Sequence, residues 1–501
     1  MSSSSPVVII GAGLAGLHAG CILAHKGIKT IIVEKNPQVG GYCSAYSDQG
    51  YTFDIGATML QTPTVLTEAL EELGKQPADY LDLRPLNPLY RVAFDDGTSL
   101  TLKPSIEETA ENVGLLSAKE RANFLKYMRD MEHLKRAFKE FFISRKHQSI
   151  WSYFSRSSLL LLRHLNPFAT VSQLMDHYFQ DPRLRAAFSF QVLYFGIPPN
   201  RCPAFYGMVP YFEITRGVWY PRGGLNSVSN AFAKIFQESG GQLMLGTAVK
   251  EIMTSGGKVR GVKLENGEVI DAKQVISNAD VVYTYLKLLN EQDVPSHYRR
   301  RVNHYELSCS AIVALFGFKK DSFDLTHHTF IIPKNPDRAY HEIFKSKAVH
   351  PDLAAYLCCA TRTDDTVAPQ GSEGLYVLVP VPGRLKDGSS WEDKRAWAAD
   401  FVIAELERRG LHGLKSKLLF QKVFLPSDYE KTFNQPQGMG FGIQPIMRQM
   451  GPLRPKTRSP YVEGLYLAGA STNPGCGVPL VISSGRSAAQ ALLADLGVNG
   501  G

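Results

Sequence analysis

Residues Val7 to Gly20 read VVIIGAGLAGLHAG. An apolar run of strand character stops at Gly11, and a helix-like stretch of small residues begins at Leu14. Gly11, Gly13 and Gly16 form G-x-G-x-x-G across this junction. The next apolar run, KTIIVEK, places Glu34 23 residues after Gly11. Each part of the layout has a chemical reason. The first glycine permits a tight turn. The second lets a pyrophosphate approach the backbone and the helix N-terminus, where free N–H groups and the dipole favour anions. The third lets helix and strand pack closely, and the acid accepts hydrogen bonds from ribose hydroxyls. Val7 to Ala24 carries no charge, as a membrane helix would, but Gly11, Gly13, Gly16, Gly20 and His18 argue against a span.

The pattern downstream extends this reading. After Glu34 comes NPQVGGYCSAYSDQGYTFDIGATML, a loop rich in glycine and tyrosine. A nicotinamide domain has no need of a second glycine-rich loop, whereas a flavin needs backbone donors along its whole length. Residues 64–75 and 105–142 read as helical, and 245–271 as a β-meander turning at SGGK and ENGE. QVISNAD reads as a returning strand. SAIVALFGF and EGLYVLVPVP read as strands, and DKRAWAADFVIAELERRG as a helix. The last strand, EGLYLAGA, runs into a loop broken by glycine and proline and then into a small-residue helix. A chain of 501 residues suits two or three subdomains. The expected organisation is one interleaved body, its first domain made of separated segments.

Composition narrows the class. The charged fraction is 20% and the hydrophobic fraction 44%, which excludes a disordered chain. The opening MSSSSP has neither the basic nor the apolar region of a secretory signal. The seven cysteines are odd in number and contain no C-x-x-C, so they read as reduced thiols of a cytosolic compartment, with neither a disulfide framework nor zinc. Net charge is +8. From Met131 to His164 there are seven Lys/Arg against two Asp/Glu, so the excess is concentrated. With no nucleic-acid motif present, an anionic membrane surface is the expected partner. Met131, Leu134, Phe138, Phe141 and Phe142 fall at helical spacing, followed by SIWSYFSRSSLLLLRHLNPF. The whole of 131–168 therefore reads as a candidate peripheral, monotopic element on the cytoplasmic face of a membrane.

The runs GAGLAGLHAG, IIVEKN, VGGY and YTFDIGAT together resemble the FAD-binding half of the flavin amine oxidase and carotenoid desaturase superfamily. GVWYPRGGLNSVSNAF at 217–232, SNAD at 277–280 and LYLAGASTNPGCGVPLVISSGRSAAQALLADL at 465–496 narrow the likeness. Together they are similar to the bacterial and fungal phytoene desaturase-type enzymes, including the C30 diapophytoene desaturases. The resemblance spans essentially the whole chain. It implies an α/β fold: a Rossmann-like, GR2-type FAD-binding domain with an interleaved α+β substrate domain and a membrane-associating helical segment. The expected division gives 1–75, 220–285 and 455–501 to the FAD domain, and 76–219 with 286–454 to the substrate domain. Besides the G-x-G-x-x-G, the resemblance implies cofactor contacts from Ala15, Lys35, Gly40, Gly41 and Tyr42, and from Gly56, Ala57, Thr58 and Met59. Val249 would meet the adenine. Many relatives have Arg where this chain has Tyr42, so the backbone contacts carry the expectation there. The closing loop would return to the flavin ring, with Gly469 and Ala470 on the phosphate or ribitol side and Gly477, Val478 and Pro479 at the pyrimidine edge. Both chain ends would then build one site. Cys476 reads as a small filler in this loop.

An apolar substrate needs an apolar channel, and FSFQVLYFGIPP at 188–199, FYGMVPYFEI at 205–214 and MGFGIQPIM at 439–447 supply aromatic lining. No Ser-His-Asp order, metal spacing or paired carboxylates present themselves. Glu213 and His328, with its neighbour His327, are candidates to orient or accept a proton. The resemblance implies desaturation of a linear C30 or C40 isoprenoid by hydride transfer to flavin, with a quinone or dioxygen as electron acceptor and an oligomer possible. A terminal-methyl oxygenase, a carotene isomerase or a flavin-stabilised isoprenoid-binding protein are the rival readings.

Overall fold

VVII is the middle strand of a five-stranded parallel sheet in the computed structural model, which describes residues 5–142, 166, 168–352 and 354–498. Thr30–Val33 lies on one side of Val7–Ile10 and Gln274–Ser277 on the other, with Gln242–Met244 and Leu465–Leu467 at the edges. All four pairings are parallel. A parallel strand covered on both faces must be apolar throughout, which explains the unbroken VVII. Val7 and Ile9 meet one set of helices, Leu14–His25, Asn226–Glu238 and Val478–Asp495. Val8 and Ile10 meet the antiparallel meander Val249–Ser255, Lys258–Leu264, Val269–Asp271.

Small residues allow these helices to touch. A β-carbon at Gly485 would stand 2.3 Å from the Ala15 carbonyl oxygen, and one at Gly20 would stand 2.8 Å from Ile32 Cδ1. The helix Asn226–Glu238 and the edge strand Gln242–Met244 correct the sequence expectation, which began its β-meander at Leu245 and assigned no element to 226–244. The strand spans only three residues, one of them exposed, so it carries too little periodicity to read.

The second sheet has seven strands, in the order Leu418–Phe424, Ser310–Lys319, Ser372–Val381, Ala355–Cys358, His328–Ile331, Tyr90–Ala93, Ser99–Leu102. The helix Arg395–Arg408 covers one face through Val402 and Leu406. The other face presents Ala311, Val313 and Tyr376 towards Tyr51 and Phe53 of the strand Tyr51–Asp54, which pairs with Ala45–Asp48 as a hairpin within the stretch read from sequence as a loop. At the sheet's far end, Tyr90 and Val92 join a core formed by Glu120–Phe142, Val171–Tyr178 and Val209–Arg216.

Met131 and Leu134 are buried in that core beside Phe124 and Tyr127, while Lys135 is exposed. The apolar stripe of Glu120–Phe142 therefore faces protein as far as Leu134. The rest of the sequence-identified interfacial segment, 143–165 and 167, lies outside the described residues. No helix among the described residues is long and apolar enough to cross a membrane.

Candidate active site

The carboxyl ends of four parallel strands open onto one cavity of about 510 Å³, through Ile10–Gly11, Val33–Glu34, Asn278 and Ala468–Gly469. This is the crevice position at which open α/β sheets bind ligands, and the volume is that of a small-molecule site (roughly 300–1,000 Å³). The cavity then runs against the second sheet, where Phe330, Ile332, Tyr356 and Tyr376 line it.

Gly11 turns the chain at φ +97°, a conformation that side chains rarely adopt. Gly40, at φ +116°, donates its N–H to the Ala12 carbonyl (2.8 Å), which seats the second glycine loop on the first. Gly41 packs so closely that a β-carbon would stand 3.5 Å from Gly13 Cα. Glu34 is buried, and its carboxylate accepts the Ala12 N–H (2.8 Å) and two bonds from Asn36 (both 2.8 Å). A carboxylate has about four acceptor sites, and three are used, so capacity remains for one ribose hydroxyl. Lys35 lines the cavity, but its ammonium is held by the Lys431 carbonyl (2.7 Å) and Asn434 Oδ1 (2.8 Å).

All but one of the residues expected to hold the cofactor reach the cavity: Gly11, Gly13 and Ala15; Glu34 and Lys35; Gly40 to Tyr42; Gly56 to Met59; Val249; Gly469 and Ala470; Gly477 to Pro479. Gly16 does not. A β-carbon there would stand 2.2 Å from the Gly11 carbonyl oxygen, so its duty is packing. Tyr42 aims its hydroxyl at the Met439 carbonyl (2.7 Å) and stacks on Tyr429.

Several residues of the site carried no assignable signal in the sequence. Asn278 accepts the Gly16 N–H (3.0 Å) and donates to the Ala468 carbonyl (3.3 Å), tying the first helix to the closing strand. Its SNAD context was visible but its role was not. Arg454 is buried and grips the closing loop through the Thr472 carbonyl (2.7 Å) and the Ala470 carbonyl (2.5 Å), tying it to the 439–447 segment through the Ile443 carbonyl (3.3 Å). Asp280, also buried, accepts from Ser471 and from the Val282 N–H (2.8 Å), and burial raises its carboxyl above the usual range. Nothing in GPLRPKTRSP marks Arg454, because its partners are carbonyls brought close only by the fold.

The closing helix Val478–Asp495 begins at the cavity with Gly477 at φ +114°. A β-carbon there would meet nothing nearer than Phe195 Cε1 at 4.0 Å, so the backbone borders open space. The N-terminus of an 18-residue helix gives this wall positive potential. Burial pushes the neighbouring Cys476 thiol up to about 11, so it stays protonated.

The proton-handling candidates stand one layer behind the wall. Glu213 is fully buried; it accepts from Tyr90 (2.6 Å) and from Gln61, and Gln61 rather than Glu213 lines the cavity. Burial raises its carboxyl to about 8 against the opposing effect of these hydrogen bonds, so it holds a proton at neutral pH. The Tyr194 hydroxyl, on the wall, is near enough to favour the charged form yet meets no partner at hydrogen-bonding geometry. His328 is screened similarly. Its Nδ1 bonds the Tyr356 hydroxyl (2.8 Å), which in turn bonds Thr58 Oγ1 (2.6 Å), and Thr58 and Tyr356 are the cavity-lining pair. Of the aromatic segments, 188–199 contributes Phe190, Leu193 and Tyr194 to the wall and 439–447 contributes Phe441. The 205–214 segment instead packs in the core with Tyr127.

The two-loop glycine cradle, the acid at the second strand and the returning C-terminal loop define an α/β flavoprotein. The chain matches the family described as "Flavin containing amine oxidoreductase" over residues 14–313 and 400–493, and it belongs to that family; its cofactor is FAD. It is 32% identical over 488 residues to a zeta-carotene-forming phytoene desaturase of Myxococcus xanthus, covering 97% of this chain and 93% of the relative. It is 30% identical over 497 residues to a 4,4'-diapophytoene desaturase (4,4'-diaponeurosporene-forming) of Staphylococcus haemolyticus, covering 98% and 99%. Its fold is similar to the crystal structure of an oxidoreductase from Methanosarcina mazei, with TM-score 0.65, 17% identity, and coverage of 97% of this chain and 100% of the other.

Proposed function

We propose that this protein is an FAD-dependent carotenoid desaturase that introduces double bonds into a linear C30 or C40 precursor. The observation that carries the reading is one cavity with two kinds of wall. Glycine backbone, Glu34 and a helix N-terminus form one part; Phe190, Leu193, Phe330, Ile332 and Phe441 form the other. An apolar polyene gains by burial against such a surface, and water is kept from the reacting carbons.

Bound FAD supplies a two-electron acceptor. The proposed contacts to it are the cavity-lining residues from Gly11 to Met59, Val249, and 469–479. Gly477 and Val478 would set positive potential where reduced cofactor carries charge. Thr58, Tyr356, Gln61 and Tyr194 are among the polar groups that line the cavity, and through them His328 and Glu213 would act as positioning residues. The proposed division assigns 1–75, 220–285 and 455–501 to the cofactor and 76–219 with 286–454 to the substrate.

The proposal places the protein peripherally on the cytoplasmic face of a membrane, with the part of 131–168 beyond Leu134 as the contact and a quinone or dioxygen as final acceptor. The cationic excess of that segment supports this reading, at about 1 kcal/mol per cation near an anionic surface. Incubation with vesicles containing phytoene or diapophytoene tests both parts. The products should have lost pairs of hydrogens, and changing Arg145, Lys146, Arg156 and Arg163 to Glu should release protein from anionic vesicles. Oxygen-bearing products would favour a terminal-methyl oxygenase. Unchanged products would sink the desaturase reading, and unchanged co-sedimentation would sink the membrane contact.

A further inference from the structure

Behind the Thr58–Tyr356 wall, antiparallel pairing sets His328 directly across from Cys358. His327 lies alongside, its ring 4.4 Å from that of His328 and inclined at 69°. All three side chains are more than nine-tenths buried. One ligand atom from each comes within 4.8 Å of the other two. Among the described residues neither imidazole Nε2 has a hydrogen-bond partner, although each Nδ1 does: His327 with Thr363 Oγ1 (2.7 Å) and His328 with the Tyr356 hydroxyl (2.8 Å). Both hydroxyl oxygens can accept from an Nδ1–H. That tautomer presents the Nε2 lone pair, and it is how metal-binding histidines are held by their outer partners.

We infer that His327, His328 and Cys358 form a binding site for a thiophilic closed-shell cation, Zn²⁺ or Cu⁺. Two imidazoles and one thiolate are the donor set such ions take, at roughly 2.0–2.3 Å from each donor. A void of about 20 Å³, the size of one water molecule, borders Cys358. The thiolate neutralises Cu⁺ and leaves Zn²⁺ with one net positive charge. Binding breaks the Cys358 S–H bond, forms the metal–sulfur bond and releases the proton to solvent, with no change of oxidation state. Residues 327, 328 and 358 match no ligand spacing, so only the strand pairing reveals them. The ion would pin the strands His328–Ile331 and Ala355–Cys358, which carry the cavity residues Phe330 and Tyr356.

The test uses FAD-loaded protein with thiols kept reduced, stripped with a chelator and titrated without oxygen. Co²⁺, as the zinc probe, should bind one equivalent with a thiolate-to-cobalt band in the difference spectrum, and Zn²⁺ should displace it. A parallel Cu⁺ titration against a chromophoric competitor decides between the two ions. Cys358→Ser and His327→Gln should each weaken binding at least tenfold while FAD occupancy is retained. If either variant loses its FAD, the wild-type thiolate band and the other variant decide. Absence of saturable binding of all three ions, a Co²⁺ complex without the thiolate band, or unchanged affinity in the variants would overturn the assignment.

Discussion

A side chain at Gly13 would collide with protein as well as with a cofactor, because a β-carbon there would stand 2.7 Å from Asn278 Oδ1. Gly13→Val is therefore expected to abolish FAD binding, read as flavin absorbance after purification. Combining it with Asn278→Ala separates the causes. If FAD returns in the double variant, the clash with Asn278 was the whole effect; if it does not, the backbone itself must remain open to the pyrophosphate. Glu213 gives a second prediction at this scale. Its folded-state value of about 8 lies above the ordinary value of 4.5. A raised carboxyl contributes stability that is complete below the ordinary value and is lost as pH rises through the folded one. At about 1.4 kcal/mol per pKa unit, the effect is on the order of a few kcal/mol. Glu213→Gln cannot ionise, so the melting-temperature advantage of wild type over this variant should shrink between about pH 5 and pH 9. A constant difference would show that the carboxyl is ionised throughout.

The closing loop and its helix act as an element. Gly477→Ala meets open space but forces a side chain to φ +114°, at a cost of about 1–3 kcal/mol. It should slow substrate-driven reduction of the flavin. Cys476→Ser, in the same loop, should leave the rate nearly unchanged. Stopped-flow reduction on samples matched for FAD content compares the two, and equal rates in wild type and Gly477→Ala would remove the loop from the chemistry. This element was legible early because its glycines and proline need special backbone. Its brace was not: Arg454 is held by the carbonyls of Ala470, Thr472 and Ile443, and carbonyls leave no mark in a sequence. The same asymmetry separates the first strand and helix, whose four-residue apolar run and spaced glycines are unmistakable, from the edge strand Gln242–Met244. Glu213 and His328 were legible only as candidates to orient or accept a proton. The intervening Gln61, Tyr194, Thr58 and Tyr356 come from elements far away in the chain, so no local pattern could place them in front.

At the scale of the molecule, the ends of the chain meet. Leu465–Leu467 pairs with Gln274–Ser277, which pairs with Val7–Ile10, and the helix that follows each terminal strand packs on the other through Gly485 and Ala15. One cavity results, with dinucleotide geometry against the first sheet and aromatic walls against the second. On the proposed function, one apolar substrate enters this cavity and gives its electrons to the flavin held there. Anaerobic mixing of FAD-loaded protein with vesicle-borne phytoene or diapophytoene should bleach the flavin in step with formation of a product bearing an additional double bond. Retained flavin absorbance with both substrates, in protein shown to be folded and FAD-loaded, would contradict it.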